Sequence, residues 1–201
     1  HLILTTSLHS ATWDGWKNST LHGSPEPPLP FSVEQVFQQI PWNAPIYIIN
    51  EPTTDHLIVI QQKTNQNPLL LLRVKNQPDA KSATPIFSST DWLVYGMTFD
   101  PHFQDNEYIY LFQHGPTGHR PRGNRISRYR YSLEPTPQID VTSEHTIIEW
   151  RSGGHDGGDL AFGPDGMLYI TAGDGTSDSD GWVSGQSLEN LLGSILRIDV
   201  S

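Results

Sequence analysis

The sequence predicts an all-β chain: about three β-propeller blades, each a four-stranded antiparallel sheet, with an extended amino-terminal arm ahead of them. Three observations carry that reading. Composition is the first: 201 residues hold 17 glycines and 16 prolines, with 35% hydrophobic and 17% charged residues. Such a mixture suits many short strands joined by tight turns rather than long helices. The second is a grammar used three times, in which an apolar strand, a proline-containing turn and another apolar strand lead to a third strand containing apolar-Arg-apolar. The third is spacing, because the turn prolines Pro52, Pro101 and Pro164 recur at 49 and 63 residues, near the length of one blade.

Taken in order, residues 1–41 read as arm and lead-in, and residues 42–201 as the partial propeller. "ATWDGWKNST" and the proline-rich "GSPEPPLP" favour an extended polyproline-type segment. Asn18 in "NST" is a glycosylation sequon, meaningful only in a eukaryotic secretory setting. In "FSVEQVFQQIPW", Val33, Val36, Phe37 and Ile40 would share one helical face, and a strand is equally open in so short a segment. The first repeat is "PIYIINEP", "DHLIVIQQ" and "LLLLRVKN"; the second is "YGMTFDPHF", "NEYIYLFQH" and "RISRYRYS"; the third is "DLAFGPDG", "MLYITAGDG" and "SILRIDVS". In the third, Gly163-Pro164-Asp165-Gly166 supplies a proline for one corner of a turn and a glycine for positive φ at the other. A plain antiparallel meander would share this grammar; the blade-length spacing favours the propeller. Three blades would expose apolar inter-sheet faces and strand edges, so half a ring is expected, completed by further blades or by self-association with another copy.

Charge and composition narrow the function. A formal charge of -10, a pI near 5.2 and only twelve Lys and Arg argue against nucleic acid and against an anionic membrane surface. The basic residues cluster once, in "HRPRGNRISRYR", and the stretch "GPTGHRPRGNR" reads as a solvated basic loop rather than an anion site. With no cysteine there is no disulfide, thiolate zinc site, cysteine nucleophile or covalent haem attachment. No apolar run reaches the roughly 18 residues of a spanning helix. "HLILTTSLHS" lacks an initiator Met and a basic flank, so the chain reads as a processed product rather than one opening on a signal peptide.

The chemistry concentrates around "GGHDGG" at 153–158 and "GDG" at 173–175. A hairpin through the 163–166 turn would return the loop before its first strand and the loop after its second to one end of the sheet. His155 and Asp174 are therefore expected as neighbours on one rim. That pairing suits a general base and its carboxylate, since imidazole titrates near neutral pH and an acidic partner orients it and stabilises its charged form. Glycines on both sides of His155 would let a flat ligand approach the backbone. The competing reading makes His155 and Asp156 solvated loop residues and Asp174 a turn cap. Asp174, Asp178 and Asp180 could chelate Ca²⁺, but the loop lacks a bidentate Glu, so a hydrated acidic loop is favoured. His114, His119, His145 and His155 have no familiar zinc spacing.

The run "GGHDGGDLAFGPDGMLYITAGDG" followed by "GSILRIDV" resembles the soluble quinoprotein sugar dehydrogenases, the glucose/sorbosone dehydrogenase family, and "YGMTFDPHFQDNEYIYLFQ" is similar to a segment of the same family. The resemblance spans roughly residues 42–201. It implies a six-bladed propeller and PQQ-dependent oxidation of a sugar or other alcohol, with hydride passing to the quinone. It also implies His155 as the base, Asp174 as its support, and Asp91 at the place of a family Gln near the cofactor. Asp100 stands where the family has His, a change read as structural. PQQ and Ca²⁺ are implied as cofactors, with most of their ligands in blades beyond residue 201, so the expectation is an incomplete part of the catalytic propeller. A cytochrome c electron acceptor and a periplasmic or secreted location follow by resemblance alone. The alternative is a non-catalytic extracellular propeller module that binds a protein or glycan.

Overall fold

The computed structural model of the chain describes residues 34–115, 123–176 and 179–201. Every described strand lies in the compact unit Val36–Ser201. Strands β1 (Pro45–Asn50), β2 (His56–Gln61), β3 (Leu69–Lys75) and β4 (Ala83–Ser89) form the first sheet. The second contains β5 (Leu93–Phe99), β6 (Tyr108–His114), β7 (Asn124–Ser132) and β8 (Gln138–Trp150). Within the described residues the third has three strands, β9 (Leu160–Phe162), β10 (Leu168–Ala172) and β11 (Ser194–Ile198). All three are antiparallel meanders, and Pro52, Pro101 and Pro164 each lie in the turn between the first two strands of a sheet. The repeat read from the sequence is the structural repeat.

The strands form where they do because alternate residues serve two different interfaces. In β6, Ile109 and Leu111 enter the core shared with the first sheet, beside Ile58, Ile60 and Leu71. Tyr110 and Phe112, on the other face of the same strand, enter the core shared with the third sheet, beside Leu160, Leu168 and Ile170. A strand buried on both faces reads as the near-continuous apolar run "YIYLF". At about 1.5–3 kcal/mol for each fully buried large apolar side chain, these two layers are the main stabilising force.

One buried polar group crosses the first interface. Glu51, directly after β1, is 2% exposed. Its carboxylate accepts one bifurcated hydrogen bond from Arg73 Nε–H (2.9 Å to Oε1, 3.1 Å to Oε2), one from Arg73 Nη2 (2.7 Å), one from the Thr54 hydroxyl and another from the Tyr131 hydroxyl of the second sheet. Burial disfavours its charge, but the Arg73, Thr54 and Tyr131 donors win and hold its pKa below the ordinary Glu value. Burial first, then Glu51 itself, pushes the Tyr131 hydroxyl upward.

The lead-in differs from the helical face considered above. Among the described residues 34–42 there is no helix; Phe37 sits at φ 56° and its N–H donates to the Pro78 carbonyl (2.8 Å). Ile40 is buried with Leu57, Val59 and Val74, and Trp42 packs beside them. Docking on the first sheet, with Pro41 stopping any helical turn, overrides the 3.6-residue pattern. Val33, Asn18 and the polyproline-type arm lie outside the described residues.

Candidate functional site

The registers define one rim. Leu93 pairs with His114, His114 with Asn124, and Asn124 with Trp150, so the start of β5, the β6–β7 connection and the end of β8 share an end of the second sheet. The chain leaves Trp150 there and runs through the glycine-rich loop 153–158 into β9. The β9–β10 turn closes as expected: Gly163 N–H donates to Met167 O (2.9 Å), Gly166 N–H to Gly163 O (3.0 Å), and Gly166 takes φ 76°. The hairpin then brings the outgoing loop 173–176 back beside the incoming one. His155 N–H donates to Thr176 O (2.7 Å), Gly175 N–H to His155 O (2.9 Å) and Gly173 N–H to Asp156 O (2.7 Å). His155 and Asp174 thus lie on two loops laddered together at one rim, with His155 exposed and Asp174 half-buried.

Asp174 is engaged within its own loop. Thr176 N–H (3.1 Å) and the Thr176 hydroxyl (2.9 Å) donate to its two carboxylate oxygens, and Asp180 N–H donates to Oδ2 (3.0 Å). These bonds, with Thr176 foremost and the His155 charge a smaller contribution, hold Asp174 below the usual carboxylate range. Asp180 is likewise lowered, chiefly by the Gly185 and Ser184 N–H groups. The carboxylates of Asp174 and Asp180 are therefore each taken up by donors of their own loop. Among the described residues no group of three or more His, Asp or Glu side chains could hold a metal ion. Asp178 and His119 lie outside the described residues.

Asp91 occupies the exposed turn between β4 and β5 on this same rim, its N–H directed at Ser89 Oγ (3.3 Å). Asp100 lies at the opposite end of its sheet, where it accepts hydrogen bonds from the Tyr110 hydroxyl (3.0 Å) and His102 N–H (2.9 Å).

The glycines act differently from the expected clearance for a ligand. A Cβ on Gly153 would lie 1.9 Å from the Gly175 carbonyl and 2.4 Å from the Trp182 ring, and one on Gly158, at φ 150°, would lie 2.3 Å from the Phe112 ring. Gly153 and Gly158 make room for protein, whereas a Cβ on Gly157, at φ 47°, would meet nothing within 4 Å. The two loops and the aromatic residues beneath them come closer than any side chain would allow.

Sequence reasoning missed the groups under the loop. Asp156, read as a solvated alternative, is 1% exposed. Its Oδ1 accepts from Asn124 Nδ2 (2.7 Å) and Gly153 N–H (3.2 Å); its Oδ2 accepts from Gly154 N–H (3.0 Å) and lies 3.1 Å from His114 Nδ1. Asn124, wholly buried, also donates from Nδ2 to the Arg151 carbonyl (3.2 Å) and turns Oδ1 toward His114 Nδ1 (3.1 Å). The available signal was position: His114 and Asn124 close one strand and open the next, so hairpin pairing sets them opposite each other. Beside this network, the Arg151 guanidinium stacks 3.3 Å from the Trp182 ring.

Successive antiparallel sheets, two of four strands and a third with three described strands, packed face to face and presenting a glycine-flanked histidine at one rim, define a propeller-type fold. Residues 54–201 match the family described as Glucose / Sorbosone dehydrogenase, and the chain belongs to that family. Among solved structures it is similar to the PQQ-bound form of aldose sugar dehydrogenase from Streptomyces coelicolor, at TM-score 0.62 and 22% identity, over 83% of this chain and 47% of that one. It is also similar to the soluble aldose sugar dehydrogenase from Escherichia coli in its apo form, at TM-score 0.58 and 17% identity, over 81% and 46%. At these identities the likeness speaks for the fold. Of curated proteins, Hedgehog-interacting protein from Mus musculus is 32% identical over 114 residues, which is 52% of this chain and 16% of that protein. The chain thus spans about half of the solved structures it matches, and its matched segment a far smaller share of the curated relative. No described helix is long and apolar enough to cross a membrane.

Proposed function

We propose that residues 42–201 contribute the proton-handling part of a quinoprotein dehydrogenase that oxidises a sugar or other alcohol. The observation that carries the reading is the laddered pair of loops presenting an exposed imidazole beside a carboxylate held ionised by its own loop. His155 accepts the hydroxyl proton as the substrate carbon is oxidised, and the Asp174 charge stabilises the imidazolium that results. The quinone, when bound, supplies the acceptor for the hydride. These residues fit that chemistry, while Ca²⁺ and most contacts to PQQ are assigned to other blades of the complete ring. Asp91, on the same rim, is assigned a place near the cofactor. A cytochrome c acceptor and a periplasmic or secreted location belong to the same proposal.

The test is dye reduction by the full-length protein with PQQ and Ca²⁺, using aldoses and simple alcohols. His155→Ala is expected to lower kcat by about 10²–10⁴-fold, the range of a general base. A rate unchanged by that substitution refutes the assignment.

The similarity to Hedgehog-interacting protein favours a second reading, a non-catalytic module that binds a protein or glycan. A full-length protein that retains such a partner and fails to bind PQQ would select it.

A further inference from the structure

We infer that Asp156 is the positioning residue of the catalytic loop, holding the His155 backbone in place from beneath through a buried polar network anchored in the second sheet. The geometry sets it apart from Asp174, whose carboxylate is taken up by Thr176 and Asp180 of its own loop. Asp156 instead joins three separate parts of the chain. It accepts the N–H groups of Gly153 and Gly154, just ahead of His155, and reaches across to Asn124 at the start of β7 and His114 at the end of β6.

Donor and acceptor roles in the network are fixed by counting. Asn124 Nδ2 faces two acceptors, Asp156 Oδ1 and the Arg151 carbonyl, so that atom is the amide nitrogen and Oδ1 is the oxygen facing His114. His114 Nδ1 then faces two acceptors, Asn124 Oδ1 and Asp156 Oδ2, both at 3.1 Å, and must carry a hydrogen. With every donor matched, the carboxylate tolerates burial. Asn at position 156 would turn its NH₂ toward at least one group that already donates. The carbonyl of Asp156 also receives Gly173 N–H, so a shift of this residue moves the Asp174 loop along with His155.

The role of the loop rests on the dehydrogenase reading; its anchoring does not, and two readouts separate them. In the full-length protein, hydrogen exchange across residues 151–158 reports the anchoring, and kcat against KM reports its consequence. Asp156→Asn is expected to speed exchange at Gly153–His155 by about tenfold or more, the loss of one matched hydrogen bond, with β6 and β7 still protected. In the same variant kcat should fall about 10²-fold with KM little changed, as expected for a misplaced base. His114→Leu, which deletes the Nδ1 donor, should loosen the loop as well, whereas His114→Asn, whose amide nitrogen reaches the Nδ1 position, should restore it. If Asp156→Asn fails to fold, the two His114 variants decide. Unchanged exchange in Asp156→Asn, or equal exchange in His114→Leu and His114→Asn, overturns the anchoring. A loosened loop with unchanged kcat overturns the positioning role and leaves the dehydrogenase reading standing. Wild-type protein without dye reduction sinks that reading, and the positioning role with it, while exchange still decides the anchoring.

Discussion

A buried carboxylate meets each end of the second sheet, one from the first sheet and one from the loop after β8, and the two are used in opposite ways. At the turn end, Glu51 binds Arg73 of its own sheet, Tyr131 of the next and the Thr54 hydroxyl of its own turn, so strand donors on both sides of an interface meet at one carboxylate. At the rim, Asp156 belongs to a loop, and its donors are two loop N–H groups and the strand-end residues Asn124 and His114. One fastens sheet to sheet; the other fastens an irregular segment to a sheet. A buried carboxylate costs little only where its partners are complete, so each marks a place where position matters more than apolar burial would secure.

The largest effect expected from breaking this comparison is at Glu51. Glu51→Ala leaves the Arg73 guanidinium without its carboxylate inside the interface, and removing one partner of a buried pair costs about 3–5 kcal/mol. The midpoint of thermal unfolding should drop by roughly 6–20 °C, with exchange in residues 151–158 keeping its order relative to the strands. Next comes Gly153→Ala, whose Cβ would lie 1.9 Å from the Gly175 carbonyl. Overpacking of this kind costs about 1–3 kcal/mol, and here it should speed hydrogen exchange in the rim loops 151–158 and 173–176 while lowering the unfolding midpoint less than Glu51→Ala does.

Acid titration sharpens the contrast further. Because Glu51 has a lower pKa folded than unfolded, its contribution is complete above the ordinary Glu value and is lost as pH falls through its depressed folded value. Stability measured against pH should therefore decline less steeply on the acid side in Glu51→Gln than in the wild type; identical slopes would show that Glu51 is not the group titrating. The smallest effect is expected at Asp165, whose pair with Arg197 (2.9 Å) is largely solvated. Asp165→Asn should leave the unfolding midpoint within experimental scatter.

The inner strands were legible because burial on both faces writes itself as apolar runs, and the turns because Pro52, Pro101 and Pro164 punctuate them. The outermost strands of the first two sheets were harder to see. β4 reads "ATPIFSS" and β8 "QIDVTSEHTIIEW"; with much of each exposed, neither forms an apolar run that a pattern could isolate. The same division holds at the rim. His155 and Asp174 could be placed together because a single hairpin with a recognisable turn links them. His114, Asn124 and Asp156 could not, since their meeting depends on β6–β7 pairing and on the path of the loop after β8. The glycines around His155 were visible, but that the space at Gly153 and Gly158 is filled by Gly175, Trp182 and Phe112 is a property of packing alone.

The two-sided burial of β6 also constrains how this chain can vary. A one-residue insertion or deletion there would exchange Ile109 and Leu111 with Tyr110 and Phe112, misfitting both neighbouring sheets in a single step. Length changes in the middle blade's second strand should thus cost far more than replacements matched in volume, or than additions in the connecting segments at either end.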